Sequence, residues 1–249
     1  MKILDTTDVK LTSKILEINK GFGSLTFVCE PSLDEMDSEK INIEIQRANG
    51  ESVEITNVAI PLREYLMLGT IGDDAIGSDI ARACAVLATV ELVAAPMAAI
   101  HLYEKDILRI TLTGLKETKI YLMFGHEAPL TTDDLYSCVR KSMNSEHESM
   151  DFDVPGYDAC VFTDFASISE INLKFDNGQV IKTTPEELRQ LAVAADPIAQ
   201  VHLDKTVSSS FANYLQLPLK GIVNINVKKS QGDVVSFLFR RDNDITLKQ

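Results

Sequence analysis

The residues best arranged for chemistry in this chain are the carboxylates of one glycine-rich loop. Residues 69–79 read Gly-Thr-Ile-Gly-Asp-Asp-Ala-Ile-Gly-Ser-Asp, so Asp73, Asp74 and Asp79 could turn their oxygens onto a hard cation. Calcium takes about six to eight oxygens in flexible geometry, which makes it the cofactor such a loop would hold. The spacing is not that of an EF-hand, and a solvated acidic turn is the alternative reading. Asp34, Glu35, Asp37 and Glu39 form a second acidic run, read as a solvated surface loop.

Other reactive groups are dispersed. His101, His126, His147 and His202 have no histidine or cysteine at ligand spacing, and His101 and His202 fall in alternating, strand-like patterns. They read as hydrogen-bonded or solvated strand histidines, not as bases or metal ligands. No GxSxG, P-loop or HExxH occurs, and Gly21-Phe22-Gly23 is a turn without a following lysine. Cys29, Cys84, Cys138 and Cys160 form no CxxC; Cys29 and Cys160 lie inside apolar runs as small hydrophobes. Reduced thiols in a chain made in the cytoplasm are expected. The sequence marks no nucleophile, base or cofactor cradle, so no enzyme is expected.

Composition narrows the partners. The formal charge is −13, spread over both halves, with 12 basic and 19 acidic side chains in residues 1–126. That leaves no basic face for phosphates, so no direct nucleic-acid binding is expected and docking on anionic lipid is disfavoured. With 45 % apolar residues each half can build a core. The absence of tryptophan argues against aromatic sugar platforms. The opening MKILDTTDVK carries no secretory apolar run. The apolar stretch 83–102 is interrupted by Glu91 and Pro96 and reads as a short buried helix followed by strands, not a membrane span.

The elements that must position these groups occur twice. Shifted by 115 residues, Met97–Phe124 lies on Ala212–Phe239 without a gap. Ile107/Ile222, Ile110/Ile225, Leu112/Val227, Ile120/Val235, Leu122/Phe237 and Phe124/Phe239 coincide. Upstream, INIEIQRANG (41–50) answers INLKFDNG (171–178), and Cys29 and Cys160 fall at matching points. A period this long describes two whole domains, not a solenoid. Strands are expected near 10–18, 23–30, 41–46, 53–55, 89–94, 97–103, 107–113 and 119–124. Asn49-Gly50 should supply the positive dihedrals of a tight hairpin. Pro61 opens a short helix at 62–68, and Ser78 or Asp79 caps a second one through Leu87. The second copy repeats the pattern, with a helix opening at Thr184-Pro185-Glu186-Glu187. Between the copies, Leu135, Cys138, Val139, Ser142 and Met143 are spaced as one side of a bridging helix. The expected domains are therefore 1–126, a helical bridge at 127–149, and 150–249.

About eight short strands per copy favour a mainly β chain of two tandem sandwiches with short helices, and a jelly roll is one eight-stranded solution. Periodicity alone does not choose the connectivity. Ile168–Ala195, with its strand, Asn-Gly hairpin, return strand and Glu-Leu helix, resembles double jelly-roll major capsid proteins of tailless, membrane-containing bacteriophages of the corticovirus type. Leu215–Leu219 followed by Ile222–Val227 resembles their downstream strands. The resemblance implies two tandem eight-stranded jelly rolls and a homotrimer with a pseudo-hexameric footprint. Such trimers tile an icosahedral capsid lattice in the virion, beside vertex or membrane proteins and often over an internal viral membrane. The chain lacks a basic N-terminal arm for membrane or genome. Two other readings stay open: a duplicated spike or vertex binding module, and an acidic ring around DNA like a sliding clamp. The clamp needs basic helices lining its hole, and the expected helices carry few lysines or arginines.

Overall fold

The computed structural model describes residues 1–8, 10–69, 77–79, 83–163, 165–188 and 214–244. The chain divides into two compact units, Met1–Val139 with Asp242–Gln249, and Arg140–Arg241.

In the first unit the order is β1 (Lys2–Asp5), β2 (Ser13–Ile18), β3 (Ser24–Cys29), β4 (Lys40–Gln46), β5 (Ser52–Glu54), β6 (Ile60–Pro61), α1 (Leu62–Gly69), β7 (Gly77–Asp79), β8 (Cys84–Glu91), β9 (Ala98–Ile100), β10 (Ile107–Thr113), β11 (Tyr121–His126) and β12 (Leu130–Thr132). One sheet runs β1-β11-β3-β8-β7 and the other β2-β10-β4-β5, with β6 beside β4. Setting aside the accessory β6, β7, β9 and β12, the eight principal strands alternate between the sheets in the order first-eighth-third-sixth and second-seventh-fourth-fifth. That interleaving is the jelly roll.

The second unit repeats it. Its strands are β13 (Asp134–Met143), in which the division between units falls, β14 (Ser149–Asp153), β15 (Tyr157–Thr163), β16 (Ile168–Phe175), β17 (Val180–Thr183), β18 (Tyr214–Pro218), β19 (Ile222–Lys229) and β20 (Val235–Asp244). The sheets run β13-β20-β15-β18 and β14-β19-β16-β17, the same interleaving strand for strand. The chain is a double jelly roll.

Local sequence explains why these strands form. In β4, Ile41, Ile43 and Ile45 are fully buried while the residues between them are not. In β10, Leu108, Ile110 and Leu112 match them from the neighbouring strand. The duplication survives at the level of pairing. Ile41 faces Leu112 and Ile43 faces Ile110; Ile171 faces Val227 and Leu173 faces Ile225. Both Asn-Gly turns carry the same hydrogen bonds. Gly50 N–H donates to Arg47 and Arg47 N–H to Glu51; Gly178 N–H donates to Phe175 and Phe175 N–H to Gln179. In each, the amide two residues on donates to the asparagine Oδ1. Within these two turns only Gly50 and Gly178 take positive φ, at 90° and 83°, so the asparagine brings a side-chain acceptor and the glycine alone brings the dihedral.

Four expectations are corrected. The bridging helix at 127–149 is absent: β13 is a ten-residue strand. It buries Leu135 and Ser137 on one face and Cys138 on the other, and a strand buried on both faces mimics helical spacing. Where its residues are described, the span expected as a helix from Ser78 or Asp79 to Leu87 holds the end of β7 and the start of β8. Cys84, Val86, Ala88 and Val90 alternate buried with exposed neighbours, and alanines concealed that alternation. Strand β1 was not anticipated. Finally, the gapless repeat fails after β10. Val235, Phe237 and Phe239 enter the second core, but the matching core residues of the first unit are Tyr121 and Met123, not Leu122 and Phe124. Counted from the matched Ile110 and Ile225, the first inward residue comes eleven positions on at Tyr121 and ten positions on at Val235, and a one-residue offset turns every following side chain to the other face.

Candidate functional site

The loop proposed for calcium is only partly visible. Asp73 and Asp74 lie outside the described residues; Asp79 ends β7, its backbone opposite Cys84. Among the described residues no group of three His, Cys, Asp or Glu could hold a metal ion. His202 also lies outside the described residues. His126 Nε2 is 2.7 Å from the Thr26 hydroxyl. His101 stacks on Tyr103 and stands 3.7 Å from Asp133. His147 is exposed. No two of the three are brought together. All four cysteines are buried free thiols, and burial pushes the Cys29 thiol far up, with the nearby Cys84 adding to it.

The turn at Gly21–Gly23 has a role that the sequence did not disclose. A Cβ on Gly21 would lie 1.8 Å from the Ile100 carbonyl oxygen, and one on Gly23 2.3 Å from that of Ala98. These glycines let the backbone lie directly against β9, with Ile100 N–H bonded to Phe22 O at 3.1 Å and the Phe22 ring fully buried. Strand β9 in turn pairs in parallel with β12.

The second acidic run is exposed at Asp34, Glu35 and Asp37, as expected, but it buries Glu39 and works as a clasp. Residues 31–39 link β3 to β4, and residues 114–120, linking β10 to β11, reach across to them. Lys116 bonds Asp37 at 3.0 Å and also donates to the Glu35 carbonyl. Lys119 stands 3.6 Å from Glu30 and 3.8 Å from Glu35. The Ile120 N–H donates to Glu30 at 2.9 Å and the Ser32 N–H to Glu35 at 2.9 Å. At the buried end, the Tyr121 hydroxyl donates to Glu39 at 2.5 Å, and Glu39 is only 1 % exposed. Such a buried carboxylate is tolerable because it is hydrogen-bonded, here also by the Ser38 N–H.

The electrostatics follow the geometry. The Ser32 N–H and then Lys119 hold Glu35 below the ordinary glutamate range. The Lys116 ammonium holds Asp37 down, and Asp37 in turn holds Lys116 up. Burial, reinforced by the Glu39 acceptor, drives the Tyr121 phenol well above its usual value. A carboxylate depressed in the folded state contributes stability above its unfolded value and loses it as pH falls through its folded one. The clasp is therefore expected to hold from neutral pH down to about the free carboxylate values, 4.5 for Glu35 and 3.8 for Asp37, and to release below them. Amide protection across residues 31–39, taken relative to the intrinsic exchange rate at each pH, should fall as pH drops below 3.8, and Lys116→Met should show the lower protection already at neutral pH. Equal protection in the variant would remove the clasp.

These groups tie loops together; among the described residues they frame no cleft in which a nucleophile meets a base. The sliding-clamp reading loses the bridging helix expected at 127–149, where strand β13 lies instead. Among the described residues no helix is long and apolar enough to cross a membrane.

Comparison with known proteins bears on the fold. No protein-family model and no curated protein matches the sequence. Among solved structures, the chain is similar to one from the atomic structure of Sulfolobus Turreted Icosahedral Virus. The TM-score is 0.53 at 11 % identity, over 92 % of this chain and 85 % of that one. It is also similar to the major capsid protein P2 from bacteriophage PM2, at TM-score 0.46 and 10 % identity over 94 % and 93 % of the two chains. A third similarity is to the PBSX exported protein XepA, at TM-score 0.25 and 10 % identity over 98 % and 86 %. The likeness to the Sulfolobus virus chain is one of fold, and it agrees with the doubled strand interleaving read directly from the pairings.

Proposed function

We propose that this chain is a structural subunit of a virus shell, a major capsid protein that forms trimers of pseudo-hexameric outline and, from them, an icosahedral lattice in the virion. The observation that carries the reading is the same eight-strand interleaving twice in one polypeptide, together with the fold likeness to a chain of an icosahedral virus. Three copies of a doubled barrel present six similar units, and closed symmetry of this kind suits repetitive packing. Such a role requires no catalytic centre, and its partners are copies of itself and other virion proteins.

The test is mass in solution. Sedimentation of the full chain over a range of concentrations should give a species three times the 27.5 kDa protomer, and its image averages should show six lobes about a threefold axis. A chain that stays monomeric at every concentration would rule the shell out.

A further inference from the structure

Unit 2 carries an uneven distribution of charge across one sheet. In β14-β19-β16-β17 the residues turned away from the core are Asp151 and Asp153 on β14, and Lys174 and Lys182 on β16 and β17, with asparagines between. Among the described residues Asp151 and Asp153 accept only amide hydrogen bonds, from Asn226 at 3.3 Å and Asn224 at 3.1 Å. Lys141 reaches the Asp153 carbonyl and not its carboxylate. Lys182 lies in the field of Glu170, but Glu170 already holds Lys228 at 2.6 Å. Among the described residues neither Lys174 nor Lys182 forms an ion pair. Acid thus collects along one edge of the sheet and base along the other. The equivalent face of unit 1 shows no such separation, because Arg109 stands between Glu17 at 2.6 Å and Glu44 at 3.5 Å.

One edge is unusual for an exposed strand. Among the described residues β14 and β17 have a strand neighbour on one side only. On β17, Val180 is 54 % and Ile181 41 % exposed, consecutive apolar side chains on an edge where proteins ordinarily place blunting residues. Direction fits as well. Every neighbouring pair in the sheet is antiparallel, so β14 and β17 run in opposite senses. A second sheet laid with its β14 beside this β17 continues the alternation.

We propose that unit 2 joins a second copy of this chain edge to edge, Lys182 and the Val180-Ile181 pair on β17, backed by Lys174 on β16, meeting Asp151 and Asp153 on the β14 of that copy. The contact is heterologous, each copy offering one edge and receiving the other, the type that closes into rings or continues into a lattice. It rests on the shell reading and assigns that reading a lateral surface.

Charge reversal tests it on the full chain. D151K/D153K makes both edges basic, and K174E/K182E makes both acidic; these surface changes spare the cores. Like charges facing each other across an interface should shift self-association to at least about tenfold higher concentration in each double variant. The quadruple variant, with both edges reversed, should recover wild-type association. Wild-type association should weaken between roughly 0.05 and 0.5 M salt, as the screening length shrinks below the reach of exposed charges. Sedimentation reads each result. Either double variant associating like wild type, or a quadruple variant as weak as the doubles, would overturn the edge assignment while leaving the shell reading standing. A wild-type chain monomeric throughout would overturn both.

Discussion

Ile225→Asp is expected to leave the second unit unfolded at ordinary temperature. Ile225 sits in the middle of β19 with Phe152 opposite it on one neighbouring strand and Leu173 on the other, and is 2 % exposed. The core cluster around it, which holds Phe162, Phe237 and Phe239, is built of apolar side chains among the described residues. An unpaired charge buried there costs about 3–5 kcal/mol or more, against the roughly 5–15 kcal/mol that stabilises a typical domain. Ile225→Val removes one methylene and should cost only about 0.5–1.5 kcal/mol. Ile110→Asp should do the same to the first unit, since Ile110 is fully buried between Ile43 and Leu16. Chemical denaturation followed by circular dichroism measures both. Cooperative unfolding of Ile225→Asp at the wild-type midpoint would contradict the strand assignment.

Gly21→Ala is expected to lower stability by about 3 kcal/mol, near the upper end for overpacking, although the change adds a single carbon. The obstacle is the Ile100 carbonyl, 1.8 Å from the new Cβ, and a backbone atom cannot step aside as a side chain can. Strand β9 must move, and with it the Phe22 ring and the pairing to β12. Gly50→Ala provides the contrast. No atom lies within 4 Å of a Cβ there, and the only penalty is the positive φ, about 1–2 kcal/mol. Thermal melting should rank the pair with Gly21→Ala well below Gly50→Ala. The reverse order would mean that β9 does not lie on this turn.

What could be read in advance depended on which residues had one face wet. Strands β4, β10, β16 and β19 were legible because isoleucine, leucine and valine alternate with polar residues in each, and the repeat fixed their correspondence. Strand β13 was misread for the opposite reason: burial on both faces erases the period of two. The register of β11 could not be seen, since Tyr121, Leu122, Met123 and Phe124 are all large and apolar and only the sheet decides which of them turn inward. The clasp was hidden because its acids and its lysines stand some eighty residues apart in sequence, as the pairing of Glu39 with Tyr121 shows. A single residue type gave one overlooked clue. Glycines flanking a phenylalanine at 21–23 signalled close backbone approach as much as a turn.

The interleaving of first and last strands also sets a timetable for synthesis. β1 lies beside β11, and β13 beside β20 near the end of the chain, so neither barrel can close until its last strand has left the ribosome. At a translation speed of about 5–20 residues per second, β13 waits roughly 5–20 s for its partner. During that wait its hydrogen-bonding edge is open to nascent neighbours, so crowding on a polysome and the supply of chaperones should govern how much of this protein reaches its native form.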